Sequence, residues 1–300
     1  MPRCLFGTPR TRRFIPWASI AIPGLGWLLF GLYPSLATIV YSFTQYSGLP
    51  GTPLNFCGLC NYTNAFTALS SEVWSAIRVS IIYVVGVTIF QNAIGIGLAL
   101  LLNRRGRSYA VYRALIFMPQ IFSVAVVGAI FSLIFDPFTG PLDKLLHGAF
   151  GVTSTFLGSN QLALPLVMLV NVWMFSGYSM LIYIAGLRNI PSEVYEAASL
   201  DGAGRFRLFR NMTFPLLAPA FTVNMFLTVV GSLGEYALIL VLSGGQHGTQ
   251  TLGIYMFASA FNSGSAELGY GSMLAMLQFF LTLIVGGGVL WTLRRREVAL

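Results

Sequence analysis

The chain has 300 residues, of which 56% are apolar and only 9% charged, with 24 Phe, 13 Tyr and 5 Trp. Soluble domains average about 25% charged residues, so a water-facing surface is excluded, and this much aromatic side chain excludes disorder. A net charge of +8 would suit a nucleic-acid partner, but its distribution along the chain serves membrane orientation instead, and no nucleic acid is expected.

A helix that crosses the hydrocarbon core needs about 20 mostly apolar residues. No charge lies between Arg13 and Glu72, Arg78 and Arg104, Arg113 and Asp136, Lys144 and Arg188, Arg210 and Glu235, or Glu267 and Arg294. Trimmed at turn signals, these stretches predict six helices: Ile15–Phe43, Trp74–Asn103, Ala110–Phe135, Leu162–Leu187, Leu216–Leu242 and Tyr270–Leu293. The expected class is an all-α polytopic membrane protein. Residues 1–14 form a tail, 15–293 a six-helix transmembrane domain, and 294–300 a second tail. Pro23, Pro34, Pro119 and Pro165 are expected to kink their helices.

Basic residues set the orientation. Arg3, Arg10, Arg12 and Arg13 precede the first helix. Arg104, Arg105, Arg107 and Arg113 join the second and third. Arg188, Arg205, Arg207 and Arg210 join the fourth and fifth, and Arg294, Arg295 and Arg296 follow the sixth. Arg78 and Lys144 alone fall on the other side, which places both termini in the cytoplasm. The Arg-rich start resembles a signal peptide, but the apolar run is too long and lacks a small-x-small site, so a retained first helix is expected. The outer connections, 44–73, 136–161 and 243–269, are rich in Gly, Ser, Thr, Asn and Pro, as loops are.

Several chemistries are missing from the sequence. The one lysine, Lys144, follows no Gly-rich turn, so no phosphate-cradling loop and no ATP site are expected in this chain. His147 and His247 lie far apart, and neither an HExxH nor a GxSxG pattern occurs. No metal site is expected. Cys57 and Cys60 form a CxxC in the first outer connection. It reads as a disulfide, as half of a metal site, or as two small residues in a turn beside Gly58. Cys4, on the opposite side, does not complete a ligand set.

Residues 188–215 form the most informative connection. Ser192 is placed to cap a helix whose first turns carry Glu193 and Glu196. Gly202 is placed to end it in a left-handed conformation. A second short helix, near 204–211, puts Phe206 and Phe209 on one face and Arg207 and Arg210 on another, with Pro215 at its end. Ala197, Ala198 and Ala203 keep the hairpin thin enough to enter a groove of another protein.

Glu196-Ala197-Ala198, Gly202 and Met212-Thr213-Phe214-Pro215 together resemble the EAA loop of binding-protein-dependent ABC importer permeases. Further likeness to the carbohydrate-uptake branch, of the maltose and glycerol-phosphate type, runs through Phe56–Tyr62, Gly186–Pro191, Asp201–Ala203, Leu242–Gly245, Ile254–Tyr255 and Ala260–Phe261. The resemblance implies the type I importer permease fold. It also implies the partners: a second homologous permease, two ATPase subunits that bind ATP and Mg, and an extracytoplasmic binding protein or lipoprotein. Glu193, Glu196, Ala197, Ala198, Asp201, Gly202, Arg205 and Phe206 would then couple the chain to the ATPases, and no cofactor would be held by the chain itself.

Polar groups within the spans face protein or water rather than lipid. They are Gln91, Asn92, Asn171, Trp173, Tyr178, Asn224, Ser232, Glu235 and Gln278. By the resemblance, the segments Asn171–Tyr178 and Ser232–Glu235 match those lining the sugar site of maltose-type permeases. Read on their own, the amides serve equally as interhelical hydrogen bonds. Glu235 is expected well inside the fifth span, at the depth of Arg78 in the second, so the two are candidates for an ion pair or gate. Glu235 could instead bind a sugar hydroxyl or amine. Competing readings are an ion-coupled transporter using Glu235, a permease for a polyol or glycerol-phosphate-like solute, and a membrane enzyme, which lacks paired catalytic acids.

Overall fold

The computed structural model describes residues 20–137, 139–150, 155–261 and 267–295. The arginines expected in the first tail, and Arg296, lie outside them. Among the described residues the chain is helical, apart from one two-stranded ribbon.

Helix α1, Ile20–Tyr41, packs little of its surface against the rest of the chain. Its turn Leu28–Leu32 is π-type. Pro34 follows and lacks an N–H, so a widened turn takes up the missing backbone bond. A ribbon then pairs β1, Thr44–Gln45, antiparallel with β2, Asn55–Phe56. Helix α2, Cys60–Phe66, is tied back by Asn61, whose Nδ2 donates to the carbonyls of Ser42 (3.0 Å) and Thr44 (2.9 Å). Cys57 and Cys60 are joined in a disulfide at the start of this helix.

Helix α3, Ser70–Leu102, is the longest. The expected third span, Ala110–Phe135, is not one rod. Helix α4, Arg107–Phe117, tightens through Met118–Ile121 and is followed by α5, Val124–Ile134, bent by 92°. Phe122 and Ser123 are extended, at ψ 147° and 137°, because Pro119 has already interrupted the ladder. Helix α6, Pro141–Phe150, precedes α7, Ala163–Arg188. Pro165 does not kink α7. It sits in the first turn, where its missing N–H has no intrahelical partner to lose.

The hairpin comprises α8, Ser192–Leu200, and α9, Arg205–Leu216. Helix α10, Ala218–Gly234, leaves α9 at 68°. The expected fifth span breaks again at Glu235, which is extended (ψ 109°) between α10 and α11, Ala237–Ser243. So Glu235 is not inside a continuous helix. Helices α12, Leu252–Phe261, and α13, Leu268–Arg294, complete the order. Four helices are long and apolar enough to cross a membrane alone, and the two bent pairs raise the number to as many as six.

Helices α3, α7 and α10 hold the centre. Small residues let them approach, as membrane helices require where apolar burial supplies no net drive. A Cβ at Gly95 of α3 would stand 2.7 Å from Ser179 Cβ of α7. One at Gly177 would stand 2.8 Å from Phe117 Cα, so the end of α4 lies directly on α7.

Candidate functional site: a polar cavity above a helical hairpin

A cavity of about 280 Å³ opens between α3, the end of α4, α7 and α10. From α7 come Asn171, Phe175 and Tyr178, at i, i+4 and i+7. From α10 and its end come Thr228, Ser232 and Glu235 at the same spacing. That spacing puts each trio on one helix face. Gln91 of α3 and Gln120 beside the third-span break close the wall. Asn171 is buried (3% exposed) and makes no hydrogen bond to a described residue, so its amide is left for the cavity. Gln120 Oε1 is likewise buried without a partner. The Asn171 amide, unlike Gln120 Oε1, is not closed off, and it is placed to bond a hydroxyl in the cavity.

Four of the five expected path residues, Asn171, Tyr178, Ser232 and Glu235, therefore meet. Trp173 does not. It points to another face of α7, 45% exposed and edge-on to Phe131 at 5.2 Å. The five-residue step from Trp173 to Tyr178 spans about 140° of helix. Gln120 was missed, though Pro119 beside it marked a break. Arg78 is exposed on α3 and no contact links it to Glu235. The Glu235 carboxylate instead accepts the N–H of Leu238 at 2.9 Å and bonds the backbone of Ala237, capping α11.

A buried polar knot lies between the cavity and the hairpin. Asn92 Oδ1 accepts from Asn224 Nδ2 at 2.8 Å and from Tyr183 Oη, joining α3, α7 and α10. Gln91 Nε2 donates to Ser179 Oγ at 2.9 Å. Gln278 Nε2 donates to the Leu233 carbonyl at 2.9 Å. These four amides act between helices, and only Gln91 also reaches the cavity.

In the hairpin, Pro191 rather than Ser192 precedes the first helical residue, and no side chain caps it. A proline with extended ψ (141°) ends the preceding chain as well as Ser192 could have. Gly202 adopts φ +73°, and the N–H of Ala203 returns to the carbonyl of Ala198 at 3.0 Å. This left-handed closure favours glycine. Glu193, Glu196, Ala197, Asp201, Gly202, Arg205 and Phe206 are exposed, Phe206 by 75%. Ala198 is buried, so it thins the hairpin instead of offering a surface. Phe206 and Phe209 keep their i, i+3 helical spacing, but only Phe206 is exposed. Phe209 is half-buried against Phe214, with centroids 6.0 Å apart, because the π-type turn at Phe209–Thr213 brings Phe214 back over it. That turn also accommodates Pro215, and α9 ends one residue beyond it, at Leu216.

Residues 91–295 match the family described as binding-protein-dependent transport system inner membrane component. The chain belongs to this family. A probable ABC transporter permease, y4oQ, of Sinorhizobium fredii is 30% identical over 302 residues, covering 98% of this chain and 96% of the relative. A probable starch degradation products transport permease, AmyD, of Thermoanaerobacterium thermosulfurigenes is 29% identical, covering 94% of each chain. In fold the permease is similar to a chain of a bacterial alginate ABC transporter crystallised with an alginate pentasaccharide-bound periplasmic protein. The TM-score is 0.81 at 18% identity, with 95% of both chains covered. The permease thus has the helical type I importer fold, built around the cavity and the hairpin just described.

Proposed function

We propose that this permease forms part of the path by which an ATP-driven importer takes up a sugar delivered by an extracytoplasmic binding protein or lipoprotein. The observation that carries the proposal is the cavity. It offers amides (Gln91, Gln120, Asn171), hydroxyls (Tyr178, Thr228, Ser232) and one aromatic face (Phe175), which suit a sugar's hydroxyl rim and apolar face. The carbohydrate uptake systems named among its relatives support the same class. In this reading six spans cross the cell membrane with both termini cytoplasmic, each bent pair counting as one span. A second permease completes the path. Two ATPase subunits, which bind ATP and Mg, receive the hairpin at 192–216 through the exposed Phe206 and Leu200, and surrounding lipid covers α1. Closure of the ATPases moves the hairpin and re-orients the cavity. Right-side-out vesicles or proteoliposomes holding the whole transporter, with ATP enclosed and the binding protein outside, decide this. Accumulation of labelled sugar should require ATP and the binding protein and persist when an ionophore collapses ion gradients. Uptake abolished by the ionophore alone points to an ion-coupled transporter instead.

A further inference from the structure

The electrical character of the cavity narrows the substrate class beyond sugars in general, and this step rests on the transport path proposed above. Glu235 is the one charged side chain among the residues lining the cavity. Its carboxylate is held on the N–H groups at the start of α11, not on a cation, and the exposed Arg78 does not reach it. The other polar groups of the wall are amides and hydroxyls, which donate as well as accept and carry no net charge. Glu235 alone therefore sets the sign of the wall and calls for donors. Hydroxyls and ammonium groups donate, whereas carboxylates, sulfates and phosphates only accept.

We propose that Glu235 makes the cavity a charge filter, open to neutral and amine-bearing sugars and closed to sugars carrying carboxylate, sulfate or phosphate. A fixed negative charge with no nearby cation raises the local concentration of cations and lowers that of anions, the more so where the walls exclude water. The magnitude expected across a cavity a few ångströms wide is at least about tenfold for a monovalent solute.

The filter can be measured without knowing the sugar. Gly231 lines the cavity one turn before Glu235, and a Cβ there meets nothing within 4 Å. Gly231→Cys, in a chain whose Cys4, Cys57 and Cys60 are replaced by Ser, therefore offers a thiol probe. The complete transporter in nanodiscs is treated with three methanethiosulfonate reagents, one cationic, one neutral and one anionic. Rates are normalised to those on a free small thiol. The cationic reagent should react at least about tenfold faster than the anionic one, and Glu235→Gln should remove most of that preference while leaving the neutral rate within about threefold. Equal normalised rates for cation and anion overturn the filter, as does a preference that Glu235→Gln leaves intact. A thiol that no reagent reaches overturns the open cavity, and the filter with it. The reagents are not sugars, so loss of the charge preference and failure of sugar uptake are separate results.

Discussion

Replacing Asn92 by Leu tests whether the polar knot holds the three central helices together. Asn92 Oδ1 is the shared acceptor for Asn224 Nδ2 and Tyr183 Oη, and both partners are completely buried. Leu keeps the same branched skeleton, with two bulkier methyl groups, but accepts nothing. Two donors would be stranded where neither water nor lipid can satisfy them. Each stranded group costs about 1–3 kcal/mol in a protein interior, while interhelical bonds in membranes average about 0.6 and reach about 1.7 kcal/mol. Because unfolded helices in a bilayer or micelle also find partners, the membrane scale governs, and two bonds between its average and its maximum give a loss of about 1 to 3 kcal/mol, centred near 2 kcal/mol. Unfolding of the purified permease in dodecylmaltoside, titrated with SDS and followed by tryptophan fluorescence, reads this as a lower midpoint. Asn224→Leu alone should cost about 1 kcal/mol, because it strands less. The double mutant should cost less than the sum by about 1 kcal/mol, since removing Asn224 leaves one donor fewer to satisfy. A loss below about 0.5 kcal/mol for Asn92→Leu, or strict additivity, refutes the knot as an energetic link.

Three further outcomes are expected. Gly202→Asp places a side chain at φ +73°, which strains the turn by about 1 kcal/mol or more. The protein should insert normally while uptake falls at least about tenfold, and uptake at the wild-type rate in the purified complex would remove Gly202 from coupling. A cysteine introduced at Ser47, in a background free of native cysteine, should react with an impermeant reagent on intact cells if 44–73 lies outside, as the proposed orientation requires. Reaction only after the membrane is opened reverses the orientation. Finally, Arg78→Gln should not rescue Glu235→Gln, since the two side chains do not meet. Their effects on uptake should add in free energy, and recovery in the double mutant would show that they pair in another conformation.

The helical content, the approximate bounds of α3, α7 and α13, and the left-handed turn at Gly202 could all be read from the sequence. Each follows from a local rule: hydropathy over some 20 residues, or one glycine at a helix end. The breaks at Phe122 and Glu235 could not. Window hydropathy measures the cost of leaving water, and an interrupted apolar stretch scores as well as a continuous one. Pro119 marked the first break, but its size, 92°, goes with packing that no local rule reads, such as the end of α4 lying on Gly177. At Glu235 the carboxylate competes for the backbone N–H groups that a continuous helix would have used, a choice that depends on the cavity being there to receive it. The same limitation explains Trp173. Its residue type suits a sugar site, and the family likeness placed the whole segment there, but helical phase assigns it to a different face.

The elbow between α9 and α10 has a mechanical consequence. A force delivered along a straight span would push it lengthwise through its neighbours, against every close contact it makes. At 68°, α9 is instead a crank arm. Its 12 residues reach about 18 Å at 1.5 Å per residue, so moving its tip sideways by about 3 Å turns α10 by about 10° about its own axis. Side chains standing about 5 Å from that axis then travel only about 1 Å. The linkage works as a reduction gear, trading a coarse stroke at the hairpin for a fine displacement of Thr228 and Ser232. Hydrogen bonds are sensitive on the scale of that smaller displacement.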